Sequence, residues 1–180
     1  MLLITVIATA LGALVARSLY ADPPPQTPAA VGPSQTSVPS SEQPGSSEVR
    51  GLADATTHPL YNTLRGQLQK LFDAINKKDF KGYADTVTAE RLAQTPEEQW
   101  LDSYSTTRDG SIVMYRIEAD DRSARVLLKF TSTQDPAKAP TEMPYECLNW
   151  NVVYGFAKER GEWKLTAGLT ASTPTVERCP

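Results

Sequence analysis

The stretch from Val113 to Thr131, VMYRIEADDRSARVLLKFT, decides how this chain folds. Val113, Tyr115 and Ile117 alternate with Met114, Arg116 and Glu118; Val126, Leu128 and Phe130 then alternate with Arg125, Leu127, Lys129 and Thr131. A period of two puts one set of side chains on a buried face and the other in solvent, which is the signature of half-buried antiparallel strands. The two strands join near Asp120, Asp121 and Arg122. A third follows Pro144, with Leu148, Trp150, Val152, Tyr154 and Phe156 on the inner face and Asn149, Asn151, Val153 and Gly155 on the outer. The turn Glu159-Arg160-Gly161-Glu162 returns it into Trp163, Leu165, Ala167 and Leu169.

Upstream of Gly110 the period is that of a helix. Leu60, Leu64, Leu68, Leu71, Phe72 and Ile75 recur at three- and four-residue spacing, so they line one helical face. Thr57 or His58 can cap this helix, with Pro59 in its first turn, and Asn76 to Asp79 stop it. Asp79 is placed to cap a short second helix through Phe80, Tyr83 and Val87. Thr95-Pro96-Glu97-Glu98 has the spacing of a capping box, with Thr95 as N-cap and Glu98 reaching back, ahead of Trp100, Leu101 and Tyr104. Helices followed by a meander predict an α+β fold, with the helices packed on one face of a curved four-stranded antiparallel sheet.

The composition changes twice before this domain. Residues 1–21 carry an apolar run from Leu2 to Ala16, broken only by Thr5, Thr9 and Gly12 before Arg17. Such a segment reads as a transmembrane anchor if Leu19 to Ala21 are included, with Arg17 snorkelling to the headgroups, or as a cleaved signal peptide. Arg17 on the C-terminal flank argues by charge for a cytoplasmic domain, whereas the cysteines discussed below argue for an extracytoplasmic one. Residues 22–56 are rich in Pro, Ser, Gln, Thr and Gly and nearly free of large apolar side chains, so they read as a disordered, semi-stiff linker. Residues 57–180 are left as the folded domain. The chain carries 18 Lys and Arg against 21 Asp and Glu, with no basic stripe, which argues against a nucleic-acid partner.

With Ala74-Ile75-Asn76-Lys77-Lys78-Asp79-Phe80 ending the long helix, three helices before the strands, and Gly161-Glu162-Trp163-Lys164-Leu165 closing the last hairpin, the chain resembles the nuclear transport factor 2-like superfamily from His58 to Ser172. That resemblance implies a cone-shaped α+β fold, a scaffold that serves enzymes, binding domains and interaction modules alike. Tethered versions look similar to accessory domains of cell-envelope assemblies. Enzymes on this scaffold that isomerise steroids or cyclise polyketides place a carboxylate and a tyrosine or second acid inside the cone.

By the alternation above, none of the inner strand positions is acidic, and only Asp85 or Asp102 could reach in from the helices. The single histidine, His58, stands at the start of the first helix, and the phosphate-binding, dinucleotide-binding and nucleophile-elbow motifs are missing. One His with two distant Cys does not compose a usual zinc site. The sequence therefore implies no catalytic residue, no metal and no cofactor. Tyr115, Trp150, Tyr154 and Trp163 are the candidates to line a pocket if the cone is open, or to fill it if it is not. The outer sheet face at Asn149, Asn151, Val153 and Gly155 is flat enough for a protein partner or a second copy. Cys147 and Cys179 are expected to form a disulfide: with the hairpin centred on Arg160, Cys147 lies opposite Thr173 and Pro174, so the tail must curl back to meet it. Such a bond implies an oxidising compartment. These features together describe a non-catalytic, membrane-anchored, extracytoplasmic binding or interaction domain; the alternatives are a carrier of an apolar small molecule and an isomerase- or cyclase-like enzyme.

Overall fold

A computed structural model describes residues 39–167 and 174–180 of the chain. The apolar segment 1–21, the first part of the linker and the expected inward position Leu169 lie outside the described residues. No described helix is long and apolar enough to cross a membrane.

Folded structure begins earlier than residue 57, which corrects the reading of 22–56 as linker throughout. A 3-10 turn at Ser40–Glu42 leads to strand β1 (Arg50–Gly51) and helix α1 (Ala53–Thr56). Val49 and Ala55 are fully buried. The Val49 N–H donates to Gln69 Oε1 at 2.8 Å and its carbonyl accepts from Arg65 Nε at 2.9 Å. Composition hides this segment because two small apolar residues suffice once neighbouring groups satisfy its backbone. Gly110 shows how closely the segment crosses the sheet: a Cβ there would stand 2.6 Å from the Gly45 carbonyl oxygen and 2.7 Å from that of Pro44.

Helix α2 (Tyr61–Lys77) buries Leu64, Leu68, Leu71, Phe72, Ala74 and Ile75, the face that the periodicity picks out. It starts one turn after Thr57, and His58 Nδ1 accepts the Leu60 N–H at 3.1 Å, so this histidine serves the helix start. Helix α3 (Phe80–Ala84) is capped by Asp79, whose carboxylate accepts from Gly82 N. Helix α4 (Ala89–Ala93) is capped by Thr88, and α5 (Glu97–Tyr104) follows Pro96. The expected capping box does not form. The N-cap of α5 falls one residue later, on Pro96, and Thr95 Oγ1 donates instead to the Arg91 carbonyl of α4 at 2.9 Å.

The strands are β2 (Arg108–Ala119), β3 (Ser123–Thr133), β4 (Cys147–Glu159), β5 (Glu162–Leu165) and β6 (Thr175–Arg178). Their order is β1-β2-β3-β4-β5, with β6 also paired to β4, so the sheet is a mixed one of six strands rather than an antiparallel one of four. The additions are a two-residue strand parallel to β2 and a four-residue strand antiparallel to β4, too short to announce themselves by alternation. Arg160 and Gly161 both take positive φ (52° and 87°) at the β4–β5 turn, the geometry that two-residue hairpins prefer.

Two bulges in β2 reverse part of the expected facing. Gly110 pairs with Thr131 and Val113 with Lys129, which leaves one extra residue beside Ser111; Met114 pairs with Leu128 and Arg116 with Leu127, which makes Tyr115 the second. An extra residue on one strand shifts its side chains to the opposite face. Ile112 and Met114 are accordingly buried under the helices, and Val113 and Tyr115 are not on that face. Ile117, Val126, Leu128, Phe130, Leu148, Val152, Phe156, Trp163 and Leu165 are buried as the alternation requires.

Candidate ligand cavity

Asp109 lies near the start of β2 and pairs in register with Ser132 of β3. Its backbone is gripped by one side chain of α2: Asp109 N donates to Asn76 Oδ1 at 2.7 Å, and Asn76 Nδ2 donates to the Asp109 carbonyl at 2.9 Å. The carboxylate is 4% exposed and accepts a hydrogen bond from Ser132 Oγ. Burial pushes its pKa up from the ordinary 3.8 to about 6, against the opposing pull of the Ser132 hydroxyl and the charge of Lys78. Lys78 stands in the left-handed region (φ 59°) just past the end of α2 and donates to the carbonyls of Ile75 and Thr107, so it acts near the carboxylate without pairing with it. Burial in turn lowers the lysine's own pKa.

This carboxylate opens on a cavity of about 440 Å³ between the helices and the sheet. Ile75, Phe130, Trp150, Val152, Ala139 and Pro140 supply apolar wall, and Tyr104, Tyr154 and Ser132 supply hydroxyls. Neither the Tyr104 nor the Tyr154 hydroxyl hydrogen-bonds to a described residue. Desolvation raises the pKa of both phenols, and the nearby Asp109 charge raises them further, so both hold their protons at neutral pH. The edge of the cavity is shaped by aromatic packing. Trp100 of α5 stacks among Phe80, Tyr83 and Tyr104 with ring centroids 5.0 to 5.6 Å apart, and Phe130 lies 5.1 Å from Phe72 and 6.1 Å from Trp150.

A second hollow of about 400 Å³ shares Val152, Tyr154 and Pro174 with the first and is bounded by Arg91, Gln94 and Thr95. Here β4 runs from its pairing with β6 (Leu148 to Asn151) to its pairing with β5 (Phe156 to Glu159); among the described residues Val152 to Gly155 have ladder partners in β3 alone, and the Gly155 carbonyl also accepts from Thr166 N at 2.8 Å. A third, about 630 Å³, surrounds Cys147, Cys179, Tyr145 and Arg178.

Of the four aromatic candidates, the fold brings two together. Trp150 and Tyr154 line the cavity. Tyr115 is carried to the outer face by its bulge, where Lys129 Nζ sits 5.2 Å from its ring centroid. Trp163 is buried beneath Lys158, 5.7 Å from the ring, and lines no described cavity. Asp102 is exposed and pairs with Lys138 at 2.5 Å; Asp85 caps the end of α3, and its carbonyl accepts from Lys164. The acid that enters is Asp109, so the expectation of an inner face without acids does not hold. Its only signal in the sequence is a place just before Gly110, ahead of the residues whose alternation defines the strand. Among the described residues, no group of His, Cys, Asp and Glu is clustered to hold a metal ion.

Cys147 and Cys179 form the disulfide, with Cα atoms 5.4 Å apart, and Cys179 N donates to the Cys147 carbonyl at 3.1 Å. The tail does return, as β6, and Leu148 pairs with Arg178, so the cysteines face each other one step beyond the ladder.

No family model matches the chain, and no curated protein does. Among solved structures it is similar to a SEC-C motif containing protein from Rhodopseudomonas palustris (14% identity, 61% of this chain and 80% of that one, TM-score 0.49). It is also similar to a protein from Kribbella flavida (14%, 63% and 91%, TM-score 0.44) and to a conserved protein from Planctomyces limnophilus (14%, 63% and 96%, TM-score 0.41). Likenesses of that size carry no argument about function.

Proposed function

We propose that this domain binds a small, largely apolar molecule bearing a polar group, and that the N-terminal segment and linker display it outside the cytosol. One observation carries the reading: the buried Asp109 carboxylate, the buried Trp150 indole N–H, which has no partner among the described residues, and the tyrosines Tyr104 and Tyr154 line one cavity with apolar walls. Buried polar groups are normally hydrogen-bonded, so a donor left unspent in a hollow large enough for a ligand favours an occupant or ordered water. The Cys147–Cys179 disulfide supports an oxidising compartment, and the apolar run before Arg17 supports a tether to the membrane. The resemblance to the nuclear transport factor 2-like scaffold agrees with a ligand held between helices and sheet.

The test is binding of the neutral fluorophore N-phenyl-1-naphthylamine to the full-length protein in detergent. Saturable fluorescence enhancement that Val152→Trp abolishes, in a variant with an unchanged far-ultraviolet spectrum, supports the reading. Enhancement that the substitution leaves untouched, or none at all, rejects it.

Proton-transfer catalysis on the bound molecule is a second reading, favoured by the Asp109 pKa of about 6 beside two protonated phenols. A carboxylate titrating near neutrality can take a proton and return it, and a phenol can donate to an oxyanion. Asp109→Asn separates the readings: a catalyst loses turnover while binding persists, and a carrier has no turnover to lose.

A further inference from the structure

Arg91 bounds the second hollow, whereas the cation that lines the first, Lys138, is paired with Asp102. Arg91 Nε donates to the Tyr83 hydroxyl at 3.2 Å and its Nη1 to the Thr166 carbonyl at 2.7 Å, and no ion pair to Arg91 forms among the described residues. Those two bonds fix the guanidinium and leave Nη2 without a described partner. A planar fork held in this way loses little further entropy when it binds a carboxylate or similar oxyanion. Arg91 is half-buried, which strengthens its field over that of a solvated arginine.

The hollow that Arg91 bounds shares Val152, Tyr154 and Pro174 with the Asp109 cavity. The Tyr154 phenol feels both charges, raised by Asp109 and lowered by Arg91. We infer that the two hollows form one elongated site with opposite polarity at its ends, so that its ligand is an amphipathic molecule whose anionic group, a carboxylate or its like, sits at Arg91. The apolar body then lies along Val152 and Trp150, and a hydroxyl or other donor faces Asp109. The reverse orientation would set an anion against a buried carboxylate, which is repulsive in a medium of low dielectric. The inference rests on the ligand reading above and adds the ligand's charge and direction.

Two fluorophores with the same skeleton test it at pH 8 on the full-length protein: N-phenyl-1-naphthylamine, which is neutral, and 8-anilinonaphthalene-1-sulfonate, which adds one anionic group. Arg91→Gln should weaken the sulfonate probe by about tenfold, the size of one charge-assisted hydrogen bond, and leave the neutral probe nearly unchanged. Arg91→Lys should recover part of the loss by keeping the charge. If Arg91→Gln weakens both probes alike, or neither, the anion end is overturned while the cavity reading stands. If Val152→Trp leaves both probes bound, the cavity reading falls and this inference falls with it. Thermal melts of both Arg91 variants show whether the lost bond to Thr166 has loosened the fold. Should both melt early, competition of sodium decanoate against decanol for the neutral probe in the unsubstituted protein decides: preference for decanoate supports the inference, and preference for decanol overturns it.

Discussion

The Asp109 carboxylate accepts a hydrogen bond from the Ser132 hydroxyl across a register pair of β2 and β3, beneath helix α2. That single bond does not offset the cost of removing the charge from water, and the pKa of about 6 records the deficit.

Asp109→Asn is expected to stabilise the fold at neutral pH. The folded pKa lies above the unfolded one, so the native state binds more protons between 3.8 and about 6. Stability is therefore fully present below the lower value and is lost as pH rises through the upper one, by about 3 kcal/mol at most. The Asn variant removes that dependence. Denaturant titrations should find it more stable by about 1 to 3 kcal/mol at pH 7.5, with the gain shrinking toward pH 4.

Ser132→Ala removes the hydrogen bond that, among the described residues, favours the ionised carboxylate. The Asp109 pKa should climb above its present value, and carbon-detected NMR titration of the carboxyl group reads it directly. A fall or no change would mean that the hydroxyl does not hold the charge.

Replacing Cys147 and Cys179 by serine opens a loop whose ends are 32 residues apart in sequence. The chain-entropy model puts the loss at about 3 to 4 kcal/mol. The four-residue β6 then keeps its ladder to β4 and the contact of Arg178 with the Tyr145 ring, so limited proteolysis should trim the C-terminus of the variant before the rest of the domain.

Gly110→Ala drives a Cβ into the carbonyls of Gly45 and Pro44. Backbone cannot yield as a flexible side chain can, so the variant should lose about 1 to 3 kcal/mol. Protease cleavage near Pro44 should rise with it, because Ser111 N and Oγ hold the same segment through Ser46 and Pro44.

The helical face of Leu64, Leu68, Leu71, Phe72 and Ile75, the buried rows of β3 and β4 and the closing disulfide were all legible before the fold was known. Periodicity reports burial wherever an element is regular and one-sided, and two cysteines near the ends of a returning chain have few other partners. Facing failed at Tyr115 because a bulge changes the parity of a strand without changing its composition. The domain's start failed at Val49, where buried backbone and two small side chains do what a run of large apolar residues usually does.

By itself the order of the chain determined an α+β domain, a disulfide and an upstream tether-like composition. Only the tertiary structure decided that Asp109 and the Tyr104 and Tyr154 hydroxyls share one hollow. Local pattern records which face a side chain takes relative to its neighbours in sequence, whereas the meeting of residues from β2, α5 and β4 depends on register and bulges, which pairing between distant segments sets.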